Sequence, residues 1–147
     1  MLNDPQIISI AHVIQLAVTP VFLLTGIGAI LSVLISRLAR IVDRGRQLEG
    51  LLASADSGES ACAAADLIIL SRRAKLINRA ISLCTTCALL ICSVIVVLFV
   101  GAFISPDISI PIALLFVAAM TLLILALIVF LSEIRLATAS LRFGGLR

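Results

Sequence analysis

The sequence predicts an all-α membrane protein with three transmembrane helices and a cytoplasmic helical hairpin that extends helices one and two. The chain is 62% hydrophobic with a mean hydropathy of +1.28, whereas a soluble domain is usually about 45–50% apolar. Three apolar segments, at about 13–38, 80–103 and 110–131, are each long enough to cross a bilayer, which takes about 20 residues. We therefore expect residues 1–147 to form a single membrane domain.

The first segment begins with polar residues. His12, Gln15 and Thr19 are spaced to share one helical face, and they could form an outward-facing polar vestibule or ion site. The alternative is that they lie at headgroup level, where the free-energy cost of a polar group is far lower than at mid-bilayer. Pro20 either kinks a continuous helix or starts a new helix capped by Thr19, which would leave residues 6–18 as a separate interfacial helix.

Small residues and arginines follow along the same segment. Gly28, Ser32 and Ser36 form a small-xxx-small stripe that predicts close helix packing. The arginines at its inner end either anchor the topology or, as a ring in an oligomer, concentrate anions at a pore mouth. If Pro20 only kinks the helix, the candidate pore or polar site comprises His12, Gln15, Thr19, Pro20, Gly26, Arg37, Arg40 and Arg44.

The hairpin is predicted over about 39–79. Apolar residues recur at three- and four-residue spacing across 38–52, which indicates that the first helix continues past the membrane. Turn-forming residues at 54–60 then break it, and residues 61–80 lead without Pro or Gly into the second span. All eleven Lys and Arg residues lie at the inner end of the first span, in the hairpin or after the third span, which predicts an outer amino terminus and a cytoplasmic carboxyl terminus.

The second and third spans differ in polarity. Polar side chains recur along the second span, and we expect them to face the bundle interior, although hydroxyls can also bond carbonyls of their own helix; they are Asn78, Ser82, Thr85, Thr86 and Ser93. The third span is almost purely aliphatic and is expected to face lipid. Glu133, immediately after it, could pair with Arg135 or with an arginine of the loop between the first two spans.

The sequence carries no catalytic pattern. Cys84 and Cys87 have the spacing of a redox or metal pair, but they lie within a membrane segment without a second such pair, and thiols in apolar surroundings are inert packing residues. The one histidine is expected on the outer side, away from most carboxylates. We therefore predict neither an enzyme nor a cofactor.

The polar loop lacks aromatic stacking residues, so we expect no nucleic acid partner. Anionic lipid headgroups at the inner face are the favoured partners of its arginines.

Three stretches of the chain carry a family resemblance: 10–17, 20–28 and 37–44, the last reading Arg-Leu-Ala-Arg-Ile-Val-Asp-Arg. Together with 72–81 and the span that follows, they resemble small bacterial three-helix membrane proteins catalogued as domain-of-unknown-function family 2721. The resemblance implies a three-helix domain in the bacterial inner (cytoplasmic) membrane and no established activity.

Two functions fit these patterns. Three spans make a thin bundle, so we predict a homo-oligomer that forms an ion-conducting pore lined by the first helix. The alternative is a non-conducting scaffold or regulatory subunit that binds a partner or anionic lipid through its cytoplasmic hairpin.

Overall fold

In a computed structural model the chain forms three long helices: α1 (Pro5–Leu52), α2 (Ser57–Gly101) and α3 (Ser109–Arg142). The structure describes residues 5–52, 57–101 and 109–142, and the side-chain surroundings of 12–50, 63–101 and 109–135. All the described residues are helical, as predicted. The outer turn lies outside the described residues apart from Ser109, and α2 begins within the stretch predicted as the inner turn, already at Ser57.

Each helix is long and apolar enough to cross a membrane, over His12–Gly50, Ala63–Gly101 and Ser109–Arg135. Only 17%, 22% and 17% of their most apolar windows are buried within the chain. Large apolar side chains such as Phe22 and Leu114 are instead exposed, at 73% and 66%. An apolar surface this extensive is typical of helices that meet lipid and not water, which confirms the prediction of three membrane-compatible helices.

The first helix is continuous through Pro20, which lies inside α1 and is buried. Proline donates no backbone hydrogen bond, so the carbonyl four residues earlier loses its usual helical partner at this point. Continuity nevertheless places the polar start of the helix and its arginines on one element. Of the two alternatives for Pro20, the separate helix over 6–18 is not the one that forms.

The buried faces of the helices share a seven-residue repeat. In α1 it falls on Ile27, Leu34, Ile41 and Leu48; in α2 it falls on Ile77, Ala80, Cys84, Cys87, Ile91 and Val94; in α3 it falls on Ala119, Ala126 and Glu133, with Leu123 beside them. Alternating steps of three and four residues are the pattern of knobs-into-holes packing between helices. We call these residues the heptad face of each helix. Its small members, Ala and Cys, allow the backbones to approach closely.

Contacts divide the chain into two compact units. The first comprises Met1–Leu31 and Leu83–Ile124, and in it the Cys87 thiol donates a hydrogen bond to the Ala119 carbonyl oxygen at 3.1 Å. The second comprises Ser32–Ser82 and Leu125–Arg147 and contains the buried Glu133. The charged centre described next lies wholly within this second unit.

Candidate functional site

The most distinctive polar feature is a carboxylate held between two arginines. Glu133 of α3 is fully buried, the one buried charged side chain among the residues whose surroundings are described. Its Oε2 accepts a hydrogen bond from Arg37 Nη1 of α1 at 2.9 Å. Its Oε1 accepts two from Arg73 of α2, from Nε at 3.1 Å and Nη2 at 2.9 Å. We call this group the Arg–Glu–Arg clamp, because one side chain from each helix meets at a single point.

The heptad register of α3 explains why this carboxylate is buried. Glu133 lies seven residues after Ala126 and fourteen after Ala119, so it occupies the same face as these two buried alanines. Phe130 lies one turn before it on that face. The Arg37 guanidinium carbon sits 5.3 Å from the centre of the Phe130 ring, within the range of a cation–π contact. Arg37 is thus held by a charge and by a ring from the same helix.

The clamp carries a net charge of +1, because two guanidinium groups share one carboxylate. The Glu133 side chain has no exposed surface, whereas those of Arg37 and Arg73 are 39% and 23% exposed. Charge-assisted hydrogen bonds occupy both carboxylate oxygens. With both oxygens engaged, Glu133 is poorly placed for acid–base chemistry and well placed to join three helices at one level.

The sequence pattern anticipated only part of this geometry. Pairing of Glu133 with a loop arginine is observed for Arg73, while its contact with Arg37 was not expected. Arg135, the other predicted partner, is exposed. The seven-residue spacing of Ala119, Ala126 and Glu133 was the available signal, since it placed a carboxylate on an otherwise small and apolar face.

Most of the predicted pore or polar site lies on the exposed surface of α1. The residues that share this exposure are His12, Gln15, Thr19, Gly26, Arg40 and Arg44. Pro20 is buried, and Arg37 is turned toward Glu133. Arg44 donates a hydrogen bond to the Gln47 side chain at 3.4 Å. A single chain does not enclose these residues, so their role as a pore lining stays a prediction that further copies of the chain would have to satisfy.

The predicted packing stripe of Gly28, Ser32 and Ser36 is also exposed. A Cβ added at Gly28 would meet nothing within 4 Å, and the Ser36 hydroxyl donates to the Ser32 carbonyl at 2.9 Å. Helix packing within the chain uses the opposite, aliphatic face of α1. Packing through the stripe stays a prediction about contacts between chains.

The polar stripe of α2 does not face the interior of the chain, contrary to expectation. All of its members are exposed: Asn78, Ser82, Thr85, Thr86 and Ser93. Ser82 donates to the Asn78 carbonyl at 3.0 Å and Ser93 to the Leu89 carbonyl at 2.9 Å. Because such hydroxyls are satisfied on their own helix, they do not need an interior partner, and apolar residues such as Ile77, Ala80 and Cys84 take the buried positions.

Of the three cysteines in the second span, Cys84 and Cys87 are fully buried on the heptad face and Cys92 is exposed. Cys87 bonds a backbone carbonyl of α3, which matches the expected packing role. Across the described residues, no three His, Cys, Asp or Glu side chains are grouped so that they could hold a metal ion.

The chain belongs to the family described as "Protein of unknown function (DUF2721)", whose family model matches residues 17–143. The match covers α1 from residue 17 onward, all of α2 and α3, and every member of the Arg–Glu–Arg clamp, and it confirms the family suggested by the sequence. Searches of curated proteins and of solved structures found no match.

Proposed function

We propose that this chain, as a member of that family, is an inner-membrane protein of a bacterium whose copies assemble around α1 into an ion-conducting pore. The observation that carries the proposal is a contrast between two exposed surfaces. The exposed surface of α1 within its membrane segment carries a band of small and polar side chains beside apolar ones such as Phe22 and Ile35, whereas the exposed surface of α3 between Ile110 and Leu131 is apolar apart from Thr121.

The contrast is clear residue by residue. On α1 the exposed positions include Gln15, Thr19, Thr25, Gly28, Ser32 and Ser36. On α3 they include Ile110, Leu114, Val117, Ile124 and Ile128, which are 55–70% exposed. Polar groups are costly against hydrocarbon and usually face a bundle interior or a water-filled cavity. In an oligomer with α1 at its centre and α3 toward lipid, the polar surface of α1 would face the interior and the apolar surface of α3 would face hydrocarbon.

The heptad register also aligns the candidate pore lining. His12, Thr19, Gly26 and Arg40 are separated by multiples of seven residues, so they follow one line along a helix that packs with a 3.5-residue repeat. Arg37 is engaged by Glu133, which leaves Arg40 and Arg44 as the basic ring of the pore mouth. Rings of basic side chains favour anions.

Orientation and lipid contacts follow from charge. All eleven basic residues lie at the inner end of the first span, in the connection between the first two spans or after the third, so we place this hairpin and the carboxyl terminus in the cytoplasm and the amino terminus outside. The exposed basic residues of the hairpin outside the pore mouth then meet the anionic headgroups of the inner leaflet.

Conductance in planar bilayers tests the pore. The purified chain should form an oligomer in detergent and conduct with a preference for anions after reconstitution. Arg40→Glu combined with Arg44→Glu should lower or reverse that preference, because the ring would then carry negative charge. A monomer that stays silent at every voltage would overturn the proposal.

Self-association through the small-residue stripe predicts a separate result. Gly28→Leu should reduce the oligomer mass in detergent while leaving the unfolding of the single chain nearly unchanged, because among the described residues no other helix comes within 4 Å of the new Cβ. Ala113→Leu, at an exposed position of α3, is the matched control and should not alter the mass. Equal oligomer masses for both variants would exclude the stripe as the interface.

The second candidate function is a non-conducting scaffold or regulatory subunit. A groove between α1 and α2 favours it, with an apolar floor and a charged edge; its lining includes Ile41, Val42, Arg46, Glu49, Leu67 and Leu70. A chain that is monomeric and silent in bilayers would point to this groove as the binding surface.

A further inference from the structure

Of the four basic residues that lie close together on α2, only one belongs to the Arg–Glu–Arg clamp. Residues 72–79 contain four cations, Arg72, Arg73, Lys75 and Arg79. Arg73 turns toward Glu133 and is ion-paired there. This contact fixes the rotation of the helix, so the other three cations are directed away from the carboxylate and are exposed.

These three cations line one open cavity. Arg72, Lys75 and Arg79 surround Leu76 in a concave site of about 400 Å³, within the size range of small-molecule pockets, about 300–1,000 Å³. Their positions at i, i+3 and i+7 put them on one face over about 10 Å of helix. Within the described part of the chain, none of the three forms an ion pair with a carboxylate.

The cavity lies next to the apolar part of α2. Arg79 is the last charged residue before Ala80–Gly101, a run without any charge. A ligand held by these cations therefore sits where lipid headgroups meet acyl chains, and Leu76 together with the arginine stems offers apolar contact there. Free solutes would gain nothing from this apolar border.

We propose that Arg72, Lys75 and Arg79 bind the phosphate headgroup of an anionic phospholipid. The inference rests on the proposed membrane placement of the helices and adds a defined lipid partner to it. Guanidinium groups hold phosphate oxygens through paired hydrogen bonds, and the ammonium adds a third, mobile donor. Preference for a phosphomonoester over a zwitterionic headgroup follows, because three cations without carboxylate partners face the ligand.

The arginines of α1 supply the matched comparison. Arg40, Arg44 and Arg46 are equally exposed, but Asp43 and Glu49 stand among them on the same helix. Arg44 is also hydrogen-bonded to Gln47. This α1 group has the same number of cations as the proposed site but a smaller net charge. Comparing the two groups therefore distinguishes binding at a defined site from diffuse electrostatic attraction to any basic surface.

Native mass spectrometry of the full chain in neutral detergent tests the proposal. The probes are short-chain phosphatidic acid, short-chain phosphatidylcholine and inorganic phosphate. Replacing Arg72, Lys75 and Arg79 by Gln should weaken phosphatidic acid binding on the order of 100-fold, at about fivefold for each cation. Replacing Arg40, Arg44 and Arg46 by Gln should weaken it by less than about fivefold, the effect of one cation.

Each outcome is decisive. Equal losses of phosphatidic acid affinity in the two triple variants would show diffuse electrostatic attraction and overturn the site. Equal binding of phosphatidylcholine would also overturn it, and so would displacement of the lipid by inorganic phosphate at comparable concentration. If the α2 triple variant fails to fold, Arg72→Gln and Lys75→Gln singly should each still give about a fivefold loss. The same spectra report oligomer mass, so a failed lipid site is distinguished from a failed oligomer.

Discussion

Glu133→Gln is expected to lower the free energy of unfolding by about 1–3 kcal/mol, because the charge-assisted hydrogen bonds of a buried carboxylate are lost. The amide leaves two guanidinium groups of the clamp, Arg37 and Arg73, without a counter-charge, and both are partly buried. Reversible unfolding in detergent measures the change. Arg40→Gln removes an exposed charge from α1 and should have little effect.

The two arginines of the clamp should contribute unequally. Arg37→Gln leaves Glu133 with both hydrogen bonds from Arg73. Arg73 is also the less exposed of the two arginines. Arg73→Gln leaves Glu133 a single bond from Arg37. We therefore expect the destabilisation to rise from Arg37→Gln through Arg73→Gln to Glu133→Gln.

A triple substitution separates charge from packing. Changing Arg37, Arg73 and Glu133 together to Leu removes every unpaired charge, and apolar replacements of buried ion triads are often neutral or stabilising. The triple variant should be more stable than Glu133→Leu alone. A triple variant that is less stable than each single one would show that the clamp acts through its shape and not its charge balance.

The three long helices could be predicted from the sequence because their recognition depends on composition. Apolar length defines a membrane helix, so three helices and the continuity of α2 from residues 61–80 into Gly101 followed directly. The meeting of Arg37, Arg73 and Glu133 could not be predicted in the same way. Which face of a helix is buried depends on the partner helices, and hydropathy in a uniformly apolar segment contains little information about rotation.

The polar stripe of α2 shows the limit of polarity as a guide. Hydroxyl side chains were expected inside because lipid is a poor environment for them. Ser82 and Ser93 instead return their hydrogen bonds to their own backbone, which lowers the cost of exposure. The buried face of α2 combines aliphatic side chains such as Ile77 and Ile91 with small ones such as Ala80 and Cys87, and its small members permit a close approach of helices.

Ala119→Leu should therefore be the most damaging apolar substitution in the first compact unit, with a loss of about 1–3 kcal/mol. Ala119 is fully buried, and its carbonyl accepts a hydrogen bond from the Cys87 thiol at 3.1 Å. A leucine side chain has no space at such a close approach of two helices, so α3 or Cys87 must move. Burial of additional apolar surface gives no compensation in lipid, because the tails are as apolar as leucine.

Ala118→Leu is the matched control for this prediction. The adjacent alanine is exposed, so the same added volume should point outward and change the unfolding free energy by less than about 0.5 kcal/mol. Unfolding in detergent compares the two variants directly. Equal stability for Ala118→Leu and Ala119→Leu would contradict the heptad register of α3. Since Glu133 lies two heptads after Ala119 on the same face, it would contradict the burial of the clamp as well.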